Sequence, residues 1–383
     1  MRNASRSILV SAGEASGDYY AAELVLELQR RLPDYGFFGC AGPHLREAGV
    51  EPVIRSEDLS VVGIVEVAGH LPRIWRRFRE LIRAAATRKP DLAILTDSPD
   101  FHFRVARKLK RLGIPVVYLI APQVWAWRRG RVRTMRRVID HLLCIFPFEE
   151  AFFRQHGVPV TYIGHPLATR VRPNMSRAEF FRKHKLPADR PLVTVLPGSR
   201  PGEALRHVPE LVRAGAILAR DRPLSFILPA SPTCRAELFQ QPLAGSPIQA
   251  IEGEAWDAMA WCDVALAASG TVTVEAALLG APMVTFYRVS GVSWAIGKML
   301  VDVPFYSMVN LIAEKRVVPE LMQDQMTGER LAAEAARLLD NPADRAKMKG
   351  ELARVTSLLR GDGEDAIVRA ADVVERALEV VSQ

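Results

Sequence analysis

A chain of 383 residues, 49% hydrophobic and 25% charged, has the make-up of a soluble globular protein and is too long for one comfortable core, so two domains are expected. Four scattered cysteines (Cys40, Cys144, Cys234, Cys262) without a CxxC pair argue against a disulfide framework and a zinc site, and fit a reducing compartment. The whole net charge of +8 lies in residues 1–165, and residues 70–137 alone hold 18 Lys/Arg against 4 Asp/Glu, which implies an anionic partner.

No secretory leader is expected, because Arg2 and Arg6 precede only Ile8-Leu9-Val10 before Gly13 and Glu14. In chain order, residues 7–12 read as a buried strand and 18–32 as a helix with apolar residues at helical spacing. Short apolar runs follow at 36–41, 92–96, 115–120, 142–146 and 160–163, some opened by Pro or Gly turns. This is the pattern of a doubly wound α/β domain over 1–168. Residues 169–190 lack a strand signal and read as a linker. The rhythm restarts with strands at 192–196, 224–229, 263–268 and 283–287 and helices at 203–220 and 272–279. A second α/β domain is therefore expected over 191–345, with a helical tail over 346–383. The apolar stretch 264–287 contains Glu275, two glycines and a proline, so it reads as strand–helix–strand rather than a membrane span.

Ligands of doubly wound sheets bind beyond the carboxyl ends of the strands, and four loops there carry chemistry. Gly13-Glu14-Ala15-Ser16-Gly17-Asp18 suits close approach of a ligand to backbone N–H groups; its alternative is a tight turn with Ser16 or Asp18 capping the helix. Thr96-Asp97-Ser98-Pro99-Asp100-Phe101 places a carboxylate at a strand end, where Asp97 suits a general base or, alternatively, a cap. Pro197-Gly198-Ser199-Arg200 and Ser269-Gly270-Thr271 each open a helix with small or hydroxyl residues and suit a diphosphate. Glu275, one turn into the second of these helices, can accept from ribose hydroxyls. HExxH, DxD and Cys/His clusters are absent, so no metal is expected, and His102, His141 and His165 read as structural.

Leu71, Ile74, Trp75, Phe78, Leu81 and Ile82 form one stripe at helical spacing, flanked by Arg73, Arg76, Arg77, Arg79 and Arg83, after the apolar run 61–67 that includes Val65. Such a helix suits an anionic membrane surface; the alternative is a core-facing helix with a solvated basic face. Trp125 and Trp127 precede a dense arginine run and could stack nucleic acid, but no nucleic-acid fold signature accompanies them, and nucleic acid is not expected.

The ordered set GEASGD (13–18), GCAGP (39–43), VGIVEV (62–67), DSPDF (97–101), PQVWAWR (122–128), FPFE (146–149), IGHPL (163–167), LPGSR (196–200), ASGTVTVEAALLG (268–280) and VPEL (318–321) resembles the lipid-A-disaccharide synthase family. The resemblance implies a GT-B-like fold, two Rossmann-type domains facing a cleft, with a helical C-terminal tail. It implies an inverting, metal-independent transfer of 2,3-diacylglucosamine from UDP-2,3-diacylglucosamine to the 6-hydroxyl of 2,3-diacylglucosamine 1-phosphate. The UDP-sugar is then a substrate, and no cofactor is expected. By the same resemblance Asp97 is the base. Gly198, Ser199, Arg200, Ser269, Gly270 and Thr271 hold the diphosphate, Glu275 holds the ribose, and Asn310 lies near the nucleotide. Glu14, Ser16, Gly17, Gln123 and Trp125 line the cleft. Val65, Leu71, Ile74, Trp75, Arg76, Arg77 and Phe78 face lipid, on a cytoplasmic enzyme peripheral to the inner face of the bacterial inner membrane. His102, Val309 and Thr169 depart from the family pattern. Other readings are a UDP-N-acetylglucosamine transferase acting on another lipid-linked acceptor, a UDP-sugar 2-epimerase, and a non-enzymatic membrane or RNA-binding protein. No oligomeric state follows from the sequence.

Overall fold

The computed structural model describes residues 6–59, 67–291, 294 and 303–381. The chain forms two compact units, Met1–Pro166 with Leu359–Gln383, and Leu167–Leu358.

The first unit is built on a parallel sheet of β1 (Ser7–Ala12), β2 (Gly36–Ala41), β3 (Glu51–Arg55), β4 (Leu92–Thr96), β5 (Val116–Leu119), β6 (His141–Cys144) and β7 (Val160–Tyr162). Its order is β3-β2-β1-β4-β5-β6-β7. Helices α1 (Ala15–Arg31), α2 (Pro43–Glu47), α3 (Val67–Arg88), α4 (Pro99–Arg111), α5 (Val132–Val138) and α6 (Pro147–Gln155) connect the strands. The central strands are continuous apolar runs because helices cover both sheet faces. On one face Leu9, Leu95, Tyr118 and Leu142 of the sheet share a core with Phe78, Leu81 and Ala85 of α3, Val105 and Leu109 of α4, and Met135 of α5. The chain winds outward from β1 to β3 and then returns to the other side of β1 as β4. This topological switch point sets Ala12 beside Thr96 in register.

The second unit repeats the scheme with β8 (Leu192–Leu196), β9 (Ser225–Ala230), β10 (Ile248–Glu252), β11 (Val264–Ala268), β12 (Met283–Tyr287) and β13 (Glu320–Met322), in the order β10-β9-β8-β11-β12-β13. Its switch point lies between β8 and β11. Helices α7 (Arg177–Lys183), α8 (Pro201–Asp221), α9 (Ala255–Ala260) and α10 (Thr271–Leu278) belong to it.

The strands expected from sequence are present, with ends shifted by at most two residues. The three that were not expected, β3, β10 and β13, are all edge strands. They are short and half polar, with burial on only part of their length. The 169–190 segment is a packed part of the second unit rather than a free connection. Ser176 and Glu179 make a capping box on α7, and the Asn174 and Met175 amides donate to the buried Asp257 carboxylate at 2.8 and 2.7 Å. The helical tail is divided. The helix Pro342–Arg360 belongs to the second unit up to Leu358, and the helix Ala366–Val381 packs on α1, where Arg31 Nη1 donates to Asp372 Oδ1 at 2.6 Å and Glu375 Oε2 at 2.7 Å. All four cysteines are free and buried.

Candidate active site

Asp97 directly follows β4, at the switch point of the first unit. The Gly13 amide donates to its Oδ1 at 2.8 Å, and the Glu14 amide to its Oδ2 at 3.1 Å. Gly17 makes room for this carboxylate, since a Cβ there would lie 1.8 Å from Asp97 Oδ2. Burial pushes the Asp97 carboxyl up to about 7, against the two amides and the Ser98 hydroxyl, which lower it; the Glu14 charge adds to the rise. The group therefore exchanges its proton near neutrality, which suits a general base. The glycines of the Gly13–Asp18 loop thus serve Asp97 directly, and Glu14 and Ser16 are exposed beside it.

Asp18 does not cap its own helix. Its fully buried carboxylate accepts from the Gly42 and His44 amides at 2.7 and 2.8 Å and so caps α2 from a distance. Gly42 must lack a side chain, because a Cβ would fall 2.4 Å from Asp18 Cγ.

Trp125, expected in the substrate cleft, is instead a core residue at 7% exposure, and its Nε1 donates to Glu149 Oε1 at 2.9 Å. Glu149 is itself fully buried, and burial pushes its carboxyl up to about 7. Gln123 and Trp127 are exposed, and the Arg128 guanidinium lies 4.3 Å from the Trp127 ring.

In the second unit the turns after β8 and β11 flank the switch point. Gly198 has φ 116°, and a Cβ there would meet Glu203 Oε1 at 2.6 Å. Ser199 and Arg200 are exposed, and Arg200 stands at the N-cap of α8, where its carbonyl accepts from the Glu203 and Ala204 amides at 3.0 and 2.9 Å. His207, which sequence reasoning did not single out, ties this turn to the end of β12. Its Nδ1 donates to the Pro197 carbonyl at 2.7 Å, and its Nε2 accepts from the Arg288 amide at 3.0 Å. Gly270 and Thr271 are exposed at the uncapped start of α10. The Glu275 carboxyl is raised by burial and accepts from Trp256 Nε1 at 3.2 Å through Oε2.

Two expected nucleotide contacts have other duties. The Ser269 hydroxyl donates to the Tyr306 carbonyl at 2.8 Å, so it is not a spare donor for phosphate. Asn310 is fully buried and saturated. Its Nδ2 donates to the Val318 carbonyl and Glu320 Oε1, both at 2.9 Å, while Oδ1 accepts from the Val317 and Val318 amides at 2.7 and 2.9 Å. Glu320 in turn accepts from the Tyr306 and Ser307 amides at 3.2 and 2.8 Å. Asn310 therefore builds the 306–320 segment that Ser269 touches, with its side-chain hydrogen bonds spent inside that segment. Glu320 was legible only as part of the VPEL segment.

The stripe on α3 is split between core and solvent. Phe78, expected at lipid, is 6% exposed and packs in the core; Arg77 pairs with Asp58 at 3.0 Å and Glu80 at 2.7 Å. Trp75 is 54% exposed and stacks on Phe78 at 5.1 Å, Arg76 is exposed, and Ile74 is half-buried. Val65 and the Leu71 side chain lie outside the described residues. Among the described residues, no three His, Cys, Asp or Glu side chains converge on a metal position, and no helix is long and apolar enough to cross a membrane.

Two parallel α/β units, each with its chemically equipped loops at a switch point, define a protein of the GT-B class. A glycosyltransferase of kitacinnamycin superposes with a TM-score of 0.64 at 18% identity, covering 97% of this chain and 98% of that one. UDP-GlcNAc 2-epimerase from Neisseria meningitidis, bound to UDP-GlcNAc, gives 0.62 at 14% identity, covering 97% and 100%. The sequence model of lipid-A-disaccharide synthetase matches residues 8–367. Lipid-A-disaccharide synthases of Solibacter usitatus and Myxococcus xanthus are 64% and 46% identical over 372 and 371 residues, covering 97% and 96% of each chain. The chain belongs to the lipid-A-disaccharide synthase family.

Proposed function

We propose that this protein transfers 2,3-diacylglucosamine from its UDP derivative to the 6-hydroxyl of 2,3-diacylglucosamine 1-phosphate. The observation that carries the reading is the Asp97 carboxylate, buried at a switch point with its proton exchange moved to about 7. Asp97 takes the acceptor hydroxyl proton as that oxygen attacks the anomeric carbon. The bond from that carbon to the diphosphate oxygen breaks with inversion, and its electron pair leaves on UDP. Arg200, the Gly198 and Gly270 turns, Thr271 and the N-terminus of α10 stabilise the departing charge, and Glu275 accepts from the ribose. With those groups carrying the diphosphate, the reaction requires no metal or cofactor.

The enzyme works at the inner face of the bacterial inner membrane. Support comes from the outer surface of α3–α5, where Trp75, Arg76, Arg79, Arg83 and Arg104 are exposed and Arg107, Lys110, Arg111 and Arg137 line one depression. Basic residues near an anionic surface contribute about 1 kcal/mol each.

The test is turnover with EDTA present, supplying UDP-2,3-diacylglucosamine with and without 2,3-diacylglucosamine 1-phosphate. Acceptor-dependent release of UDP with a disaccharide 1-phosphate product is expected. Turnover of the UDP-sugar without acceptor would move the assignment to an epimerase, and absence of UDP binding would reject the nucleotide-sugar reading.

A further inference from the structure

Asp97 and Ser98 both have left-handed backbones, with φ of 54° and 35°, and neither is glycine. Such backbones are sparsely populated and persist only where the surroundings over-determine them. The amides on the carboxylate account for the side chain but not for the peptide. The peptide is gripped separately, because two donors converge on the Asp97 carbonyl oxygen: the Tyr118 phenol and His102 Nδ1, the latter at 2.9 Å. A carbonyl offers two lone pairs, so both are used.

We propose that His102 and Tyr118 are positioning residues that clamp the Asp97 carbonyl and thereby hold its carboxylate on the Gly13–Glu14 amides; this rests on the reading of Asp97 as the base. A carbonyl can only accept, so Nδ1 carries the imidazole proton. The other nitrogen, Nε2, then accepts from the Ser11 hydroxyl at 2.8 Å. The ring is fully buried, and burial pushes it down to about 4, so it stays neutral while Asp97 titrates. The clamp is rigid because its members stand on separate core elements: Ser11 on β1, Tyr118 on β5 and His102 in the first turns of α4. His102 Nδ1 is 3.8 Å from Asp97 Oδ1, beyond a hydrogen bond, so the histidine acts on the backbone and not as a relay to the carboxylate.

The clamp has a consequence that a merely structural cluster lacks. The groups facing the carboxylate are the Gly13 and Glu14 amides, the Ser98 hydroxyl, the Glu14 charge and the neutral His102; the Cys40 thiol is also electrostatically coupled to it. Burial is the largest cause of the raised Asp97 value. If the peptide relaxes, the carboxylate moves toward water and titrates lower. The acid limb of kcat/KM then shifts down from about 7. At the same time kcat falls, because the base is weaker and misplaced. KM for the UDP-sugar, set by the other unit, stays unchanged.

The experiment compares Tyr118→Phe, His102→Leu, His102→Asn and the Tyr118→Phe/His102→Leu double variant across pH 5–9, with Asp97→Asn alongside. Each donor-removing single variant is expected to lose about 3–10-fold in kcat and the double variant about 10²-fold, with the acid limb moving down by about a unit or more. His102→Asn, whose short amide keeps a donor near Nδ1, is expected to lie closer to the parent. If Asp97→Asn keeps near-parent turnover, the reading of Asp97 as base is lost. If Asp97→Asn is inactive while Tyr118→Phe and His102→Leu leave kcat and the acid limb in place, changing only thermal stability, the clamp is overturned. Should the double variant fail to fold, Tyr118→Phe, which keeps the ring packing, decides alone.

Discussion

Asp97 meets two opposing demands: it must be dry enough to bind a proton near neutrality and ordered enough to deliver it in one direction. Its type and place at a strand end were legible in DSPDF; its raised proton affinity was not, because that comes from burial beneath a loop more than eighty residues away in sequence. Asp97→Asn is expected to lower kcat by about 10²–10⁴-fold, and the parent enzyme should lose kcat/KM below about pH 7, measured by initial rates with saturating donor. Gly17→Ala puts a methyl where Asp97 Oδ2 sits. A kcat loss of about 10²-fold or more is expected, with correctly folded protein by circular dichroism. Near-parent turnover would show that the carboxylate need not occupy its present place. Asn310 shows the limit of residue-level reading. Its identity matches a functional pattern, but its four hydrogen bonds are all spent on residues 317–320.

At the scale of elements, most strands were legible because a parallel strand covered on both faces must be apolar throughout. β3, β10 and β13 were not, because these edge strands mix charged residues with apolar ones, whereas the edge strand β7 carries no charge. The Trp125–Glu149 pair, which joins the loop after β5 to α6, gives an element-level prediction. Burial raises the folded Glu149 carboxyl from 4.5 to about 7. Between those values the folded state holds a proton that the unfolded state releases, so this group reduces stability as pH rises through the window. Trp125→Phe removes a donor that favours the ionised form. Its melting-temperature deficit is therefore expected to be larger at pH 8 than at pH 5; equal deficits would show that Glu149 does not titrate in this window.

For the whole molecule, the chain leaves the first unit at Pro166 and returns to it at Leu359. Arg31, 16% exposed, fastens the returning helix through two carboxylates. Arg31→Met strands both charges and is expected to lower the melting temperature by a few degrees and to raise hydrogen exchange in residues 366–381. Unchanged exchange there would show that apolar packing alone holds the helix. The exposed basic surface of α3–α5 makes a second prediction. Trp75→Ser with Arg76→Gln should weaken binding to anionic phospholipid vesicles several-fold at low salt, with parent turnover retained on water-dispersed short-chain substrates. Equal vesicle binding would move the membrane contact elsewhere.

The sequence by itself determined the alternation of strand and helix, the presence of two doubly wound units, the loops that follow the strands' carboxyl ends and the family. These are written locally, in apolar periodicity and short contiguous motifs, and survive without knowledge of what folds against them. Only the tertiary structure decided that Asp18 caps a distant helix, that Trp125 and Phe78 belong to the core, that Asn310 builds a loop, and that the last helix returns to the first unit. It also decided that His102 and Tyr118 meet on one carbonyl. Burial and hydrogen-bond partnership are properties of pairs far apart in the chain, and no window of sequence contains both members.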